Sequence, residues 1–157
     1  MSTKIPLREA ATELILEVFR VNGRLLAAGD ELVGPVGLTS ARWQVLGAIA
    51  LSPMALPVAH LARSMGLARQ SVQRLVDEMM KDGLVRDAPN PNHRRAKLIL
   101  LTDRGEKIHG AAMERQVPWV VGLATGLTVE AIISATDTLR NIRTRLESNV
   151  KSKSGAV

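Results

Sequence analysis

Two amphipathic runs meet across a single glycine between Pro57 and Lys81. In "VAHLARSMG", Val58, Leu61, Ala62 and Met65 recur at helical spacing, and Gly66 is placed to stop the run. Only two residues later a further helix starts, with Val72, Leu75, Val76, Met79 and Met80 as its apolar stripe. Arg69, Gln70, Gln73, Arg74 and Asp77 lie on its opposite side, and Gly83 ends it. So short a link forces the two helices to pack as a corner, which is the helix-turn-helix pattern. "LVRDA" and "AKLILLT" then read as two strands. The polar, turn-rich connection "PNPNHRRA" joins them, so a β-hairpin with a long basic tip follows the corner directly.

The flanks read as helix. Pro6 can open a first helix, in which Leu14, Ile15, Val18, Val21, Leu25 and Leu26 repeat at three- and four-residue steps as far as "GPVG". Thr39 suits the N-cap of a second, with Trp43, Leu46, Ile49 and Ala50 as its stripe, and "SPMALP" breaks it. Thr102 and Asp103 open a fifth helix of about twenty residues, in which Pro118 is expected to cause a kink. After "TGLT", a sixth helix carries Ile132, Ala135, Thr136, Leu139, Ile142 and Leu146 as a near-heptad stripe. The expected fold is mainly α with a small β-hairpin wing (α+β), six helices in all. "KSKSGAV", residues 151–157, is expected to be disordered.

Charge singles out the same stretch. Residues 1–59 hold five basic and five acidic side chains. Residues 60–109 hold ten basic (Arg63, Arg69, Arg74, Lys81, Arg86, Arg94, Arg95, Lys97, Arg104, Lys107) against six acidic. A recognition helix enters the major groove with its N-terminal residues near base edges. Arg pairs bidentately with guanine and Gln with adenine, each worth roughly 1–3 kcal/mol of discrimination. Arg69, Gln70, Gln73 and Arg74 are therefore expected to face bases, and Ser71 a phosphate. Arg94 and Arg95 at the wing tip, with Lys97, are expected at the backbone or in the minor groove.

Other classes lose ground on composition. With no cysteine, disulfides, thiolate metal sites and thiol-based sensing are all absent. His60, His93 and His109 have no i, i+3 or i, i+4 spacing, so no metal and no cofactor is expected. One Phe, two Trp and no Tyr make stacking on single strands unpromising. No catalytic triad, phosphate-cradling glycine loop or carboxylate pair is legible, which argues against an enzyme. No apolar run approaches the roughly 18 residues of a membrane span, and the N-terminus lacks a signal core, so a cytoplasmic protein is expected.

"LTSARWQVLGAIA", "VAHLARSMGLARQSVQRLVDEMMKDGLV" and "PNPNHRRAKLILLT" resemble, in order and spacing, the landmarks of the multiple-antibiotic-resistance regulator (MarR) family. The resemblance spans about residues 5–150 and is sharpest from Leu38 to Gly105. It implies a winged helix-turn-helix lobe over 38–103 and a dimerisation region formed by 5–36 and 104–150. It also implies a homodimer on a palindromic operator in double-stranded DNA, usually repressing transcription and released by a small effector. The alternatives are a constitutive or architectural DNA-binding protein without an effector, and a winged-helix module that binds protein. Effectors of the family tend to bind where the dimer region meets the DNA-binding lobe, which makes Arg42 and Trp43 candidates for holding a small aromatic or apolar acid. One departure stands out. The family's wing usually carries an Asp before its basic pair, bracing an arginine, and here that position is His93 in "NHRR". A neutral His cannot brace Arg95 by charge, and a protonated one would repel it while reaching phosphate. Two readings stay open: a solvated loop histidine with no role, and DNA binding that tightens as pH falls through the ordinary histidine range.

Overall fold

Pro6 sets the first boundary. Its carbonyl accepts from Glu9 and Ala10 at the head of α1 (Leu7–Val33), where its own missing N–H costs nothing. The structure, a computed structural model, describes residues 5–154, with side chains as far as Asn149. A 3₁₀ turn, Gly34–Val36, closes α1, and Gly37 at φ 80° turns the chain into α2 (Ser40–Leu51). The exposed N–H groups at the start of α2 find two partners. Thr39 Oγ1 accepts from the Arg42 amide at 3.3 Å, and Asp30 Oδ1 accepts from the Ser40 amide at 2.6 Å. The Ser40 hydroxyl donates back to the Leu26 carbonyl at 2.6 Å. Gly29 lies directly under that hydroxyl, where a Cβ would collide with Ser40 Oγ.

α3 (Val58–Met65) starts after Pro57 and stops at Gly66, whose φ of 66° is left-handed. The Leu67 amide reaches back to the Ala62 carbonyl at 2.9 Å, completing the glycine-based helix stop. α4 (Arg69–Lys81) begins at once and ends the same way, with Gly83 at φ 71° and the Leu84 amide on the Met79 carbonyl. β1 (Val85–Ala88) and β2 (Leu98–Leu101) pair antiparallel, Val85 opposite Leu101 and Ala88 opposite Leu98. Each strand has four residues: β1 starts one residue later than the sequence pattern predicts and ends where predicted, and β2 is shorter at both ends. Leu56 adds a bridge on the far side of β2, accepting from the Ile99 amide at 3.0 Å. "SPMALP" is therefore more than a helix breaker, because it supplies the third rung of the wing's base.

Thr102 joins the wing to α5 (Asp103–Ala124). Its hydroxyl accepts from the Gly105 amide at 3.0 Å and donates to the Gly83 carbonyl at 2.6 Å. Gly105 presses on the Leu84 backbone, so only a residue without a Cβ fits there. α5 continues as one helix through Pro118. Residues up to Gln116 form one compact unit and those from Val117 a second. In the second unit, Gly126 (φ 82°) turns the chain and Thr128 caps α6 (Val129–Ser154), accepting from the Ala131 amide at 3.2 Å. The backbone of α6 is described as far as Ser154, and 155–157 lie outside the described residues. No single described helix is long and apolar enough to cross a membrane.

The core of the first unit gathers around α2, which packs against α1, α3, α4 and β2. Leu46, Leu61, Val72, Val76 and Met79 are wholly or almost wholly buried there, and Ala112 of α5 closes it. Burying such side chains supplies about 1.5–3 kcal/mol for each of the larger ones. Other apolar surface stays uncovered. Ile15, Val18, Phe19, Val21 and Leu25 stand exposed along α1. In the second unit Val117, Val121, Ile132, Leu139 and Leu146 do the same.

Replacing Gly105 by Ala drives a methyl into the Leu84 carbonyl, so we expect a loss of about 1–3 kcal/mol in urea unfolding. Gly23→Ala, where no atom lies within 4 Å of the added carbon, should instead hold or raise stability by up to about 1 kcal/mol.

Candidate nucleic-acid interface

Val72, Leu75, Val76 and Met79 turn inward on α4. Helical spacing then leaves Arg69, Gln70, Ser71 and Arg74 exposed and Gln73 half-buried. A shallow open groove runs along this face, lined by Arg69, Gln70, Gln73, Arg74, Asp77, Glu78 and Lys81. Ala68 at the N-cap offers no side-chain acceptor, so the first amides of α4 lack a side-chain cap. Unsatisfied amides at a helix start are ready donors for phosphate.

Two of these polar side chains are tethered within the helix. Gln73 Nε2 donates to Asp77 Oδ1 at 2.8 Å, and Arg74 Nη1 meets Glu78 Oε1 at 2.8 Å. Glu78 also reaches Arg42 of α2, at 3.4 Å from Nη2, and Arg42 Nη1 is bound at 2.7 Å by Asp82 Oδ2. The guanidinium singled out as a ligand candidate therefore ties α2 to the last turns of α4. Trp43, its neighbour, is half-buried and packs against the core.

The wing holds His93, Arg94, Arg95 and Lys97 exposed. It is braced from places other than position 93. Asn90 Nδ2 donates to the Ala96 carbonyl at 2.8 Å, and Asn90 Oδ1 accepts from the Asn92 amide at 3.0 Å, closing the tip on itself. Below it, Lys97 Nζ meets Asp87 Oδ2 at 2.6 Å across the two strands. That ammonium hydrogen bond holds the Asp87 carboxyl below the usual aspartate value. Lys97 thus has an anionic partner of its own, and among the described residues no ion pair is formed by the exposed Arg94 and Arg95.

The histidines are scattered. His60 and His93 are exposed. His109 of α5 is half-buried with Nε2 against Gly47 of α2, and burial lowers its pKa. No group of three or more His, Asp or Glu able to hold a metal occurs among the described residues. Sequence reasoning passed over Glu78, Asp82, Asp87 and Asn90. The i, i+4 spacing of Arg74 and Glu78 was a legible signal. The contact of Arg42 with Glu78 and Asp82, 36 and 40 residues away, had none.

The profile of the MarR family matches residues 36–96, from the 3₁₀ turn through the wing tip. A relative from Mycobacterium tuberculosis (strain H37Rv), an uncharacterised protein, is 34% identical over 129 residues, spanning 82% of this chain and 89% of the relative. The chain belongs to the MarR family. Among solved structures of similar fold, CouR of Rhodococcus jostii RHA1 bound to p-coumaroyl-CoA has a TM-score of 0.70 at 30% identity, covering 80% of this chain and 87% of that one. MosR of M. tuberculosis in complex with DNA has a TM-score of 0.72 at 25% identity, with coverage of 85% and 96%. This MarR-family protein is a DNA-binding transcription regulator and not an enzyme.

The Asp87–Lys97 contact has a defined pH signature. Because the folded carboxyl ionises more readily than the unfolded one, its contribution is present above the ordinary value of 3.8 and is lost as pH falls through the lowered folded value. An NMR titration should place Asp87 below 3.8, and Lys97→Gln should return it toward that value. Asn90→Ala should speed amide exchange over 90–97 and leave exchange in α2 and α4 unchanged.

Proposed function

We propose that this MarR-family protein is a homodimeric repressor that binds a palindromic operator and is released by a small-molecule effector. The observation that carries the DNA-binding geometry is the exposed polar face of α4 together with the arginine pair on the wing that follows it. In this reading Arg69, Gln70, Gln73 and Arg74 approach base edges, and Ser71 with the open α4 start takes a phosphate. His93, Arg94, Arg95 and Lys97 contact backbone or minor groove, with Lys97 exchanging its Asp87 contact for phosphate.

One recognition helix reads too few base pairs to stand out in a genome, whereas two related by a twofold axis read half-sites about 10 base pairs apart. The exposed apolar faces of α1 and of the second unit supply surface for that twofold contact. Residues 5–36 and 104–150 form the dimerisation region and 38–103 the DNA-binding lobe. Effector release is supported by analogy with CouR, whose structure holds an aromatic acyl-CoA. An acidic effector beside Arg42 and Trp43 would compete with Glu78 and Asp82 for the guanidinium.

Light scattering at micromolar concentration should give twice the mass of one chain; a monomer overturns the dimer. Operator affinity should fall roughly 10³- to 10⁵-fold between 50 and 200 mM salt if the dimer meets about 6–10 phosphates. Arg94→Ala should weaken specific and nonspecific binding alike and reduce the salt slope by about 1 for each arginine removed. Arg74→Ala should weaken specific binding more than nonspecific binding.

A further inference from the structure

Two arginines converge on one carboxylate. Glu78 meets Arg74 through Oε1 and Arg42 through Oε2, at 2.8 and 3.4 Å. Asp82 holds the other arm of Arg42 at 2.7 Å. A line of alternating charge thus leaves the C-terminal turn of α4, crosses to α2 and returns to the middle of α4. Side-chain exposure along it is 48% at Asp82, 21% at Arg42, 36% at Glu78 and 68% at Arg74. Its most sheltered member is Arg42, held from both sides, and its most open end is the arginine that faces the groove.

The chemistry of the guanidinium makes this a pointing device. Arg carries five N–H donors in a rigid planar fork. Glu78 engages one terminal nitrogen, Nη1, and the remaining donors stay available to a guanine edge. With both oxygens engaged, the Glu78 carboxylate has little freedom to swing, so Arg74 is held against a fixed point.

We propose that Glu78, fixed by Arg42 and Asp82, is a positioning residue that presents Arg74 to a base, which makes Arg42 a determinant of sequence discrimination from outside the DNA face. This inference rests on the reading that Arg74 contacts bases. It carries an unusual pair of signs. A carboxylate on a DNA-facing surface repels phosphate, so removing its charge should strengthen sequence-independent binding. The same change releases Arg74 and weakens discrimination. A role confined to folding would move both in the same direction.

The test uses the full-length chain. Wild-type protein selects its preferred site from a randomised duplex library. The probes are then the selected duplex, its single base-pair variants and an unrelated duplex of equal length. Glu78→Gln should lose roughly tenfold discrimination at one base pair per half-site and bind the unrelated duplex at least as tightly as wild type. Arg42→Gln should change discrimination in the same direction by a smaller factor. In an Arg74→Ala background, Glu78→Gln should alter discrimination by about twofold or less. If Arg74→Ala lowers discrimination and Glu78→Gln does not, the positioning role is overturned while the base contact stands. If Arg74→Ala leaves discrimination intact, the base contact itself fails. A parallel loss of specific and nonspecific binding in Glu78→Gln also overturns the proposal. Should Glu78→Gln not fold by circular dichroism, Arg42→Gln decides the question on the same probes.

Discussion

The rotation of α4 about its own axis is set by four buried side chains, Val72, Leu75, Val76 and Met79, seated in the core that α2 organises. Everything on the opposite face inherits its direction from that seam. With 3.6 residues per turn, fixing those four inward leaves Arg69, Gln70 and Arg74 nowhere to go but outward. The glycine stops at Gly66 and Gly83 fix where α4 begins and ends. Residues sealed in the core thus choose which residues face outward.

On top of this packing lies a layer of charge. An i, i+4 pair such as Arg74–Glu78 contributes only about 0.3–0.5 kcal/mol on an exposed helix. It is strong enough to bias a rotamer and leaves the other guanidinium donors free of the pair. Arg42 is different because it is more sheltered and takes two carboxylates. Removing its partners would leave a partly desolvated cation, which costs more than breaking a surface pair.

Much of this was legible in the residues alone because local rules carried it. The corner at Gly66, the Thr39 and Thr102 caps, the hairpin and the inward stripe of α4 all follow from spacings of a few residues. What escaped was long in sequence and short in space. The Leu56–Ile99 rung, the Arg42 bridge to α4 and the Arg115 side chain that donates to the Leu32 carbonyl join residues tens of positions apart. The wing shows the same division. Position 93 announced a missing brace, while Asn90 and the Asp87–Lys97 contact that do the bracing carried no signature.

A tip already closed by Asn90 changes what association demands of the wing. The loop backbone is tied by the Asn90 side chain at Asn92 and Ala96, and by its own His93–Asn90 and Ala96–His93 hydrogen bonds, before any duplex arrives. In the proposed complex, capture of a phosphate or a groove wall would immobilise chiefly the arginine side chains, at about 0.5–1.5 kcal/mol each, instead of a whole floppy segment. Conformational entropy surrendered during folding need not be surrendered again at the encounter, and a hairpin with only four residues in each strand acts as a stiff prong.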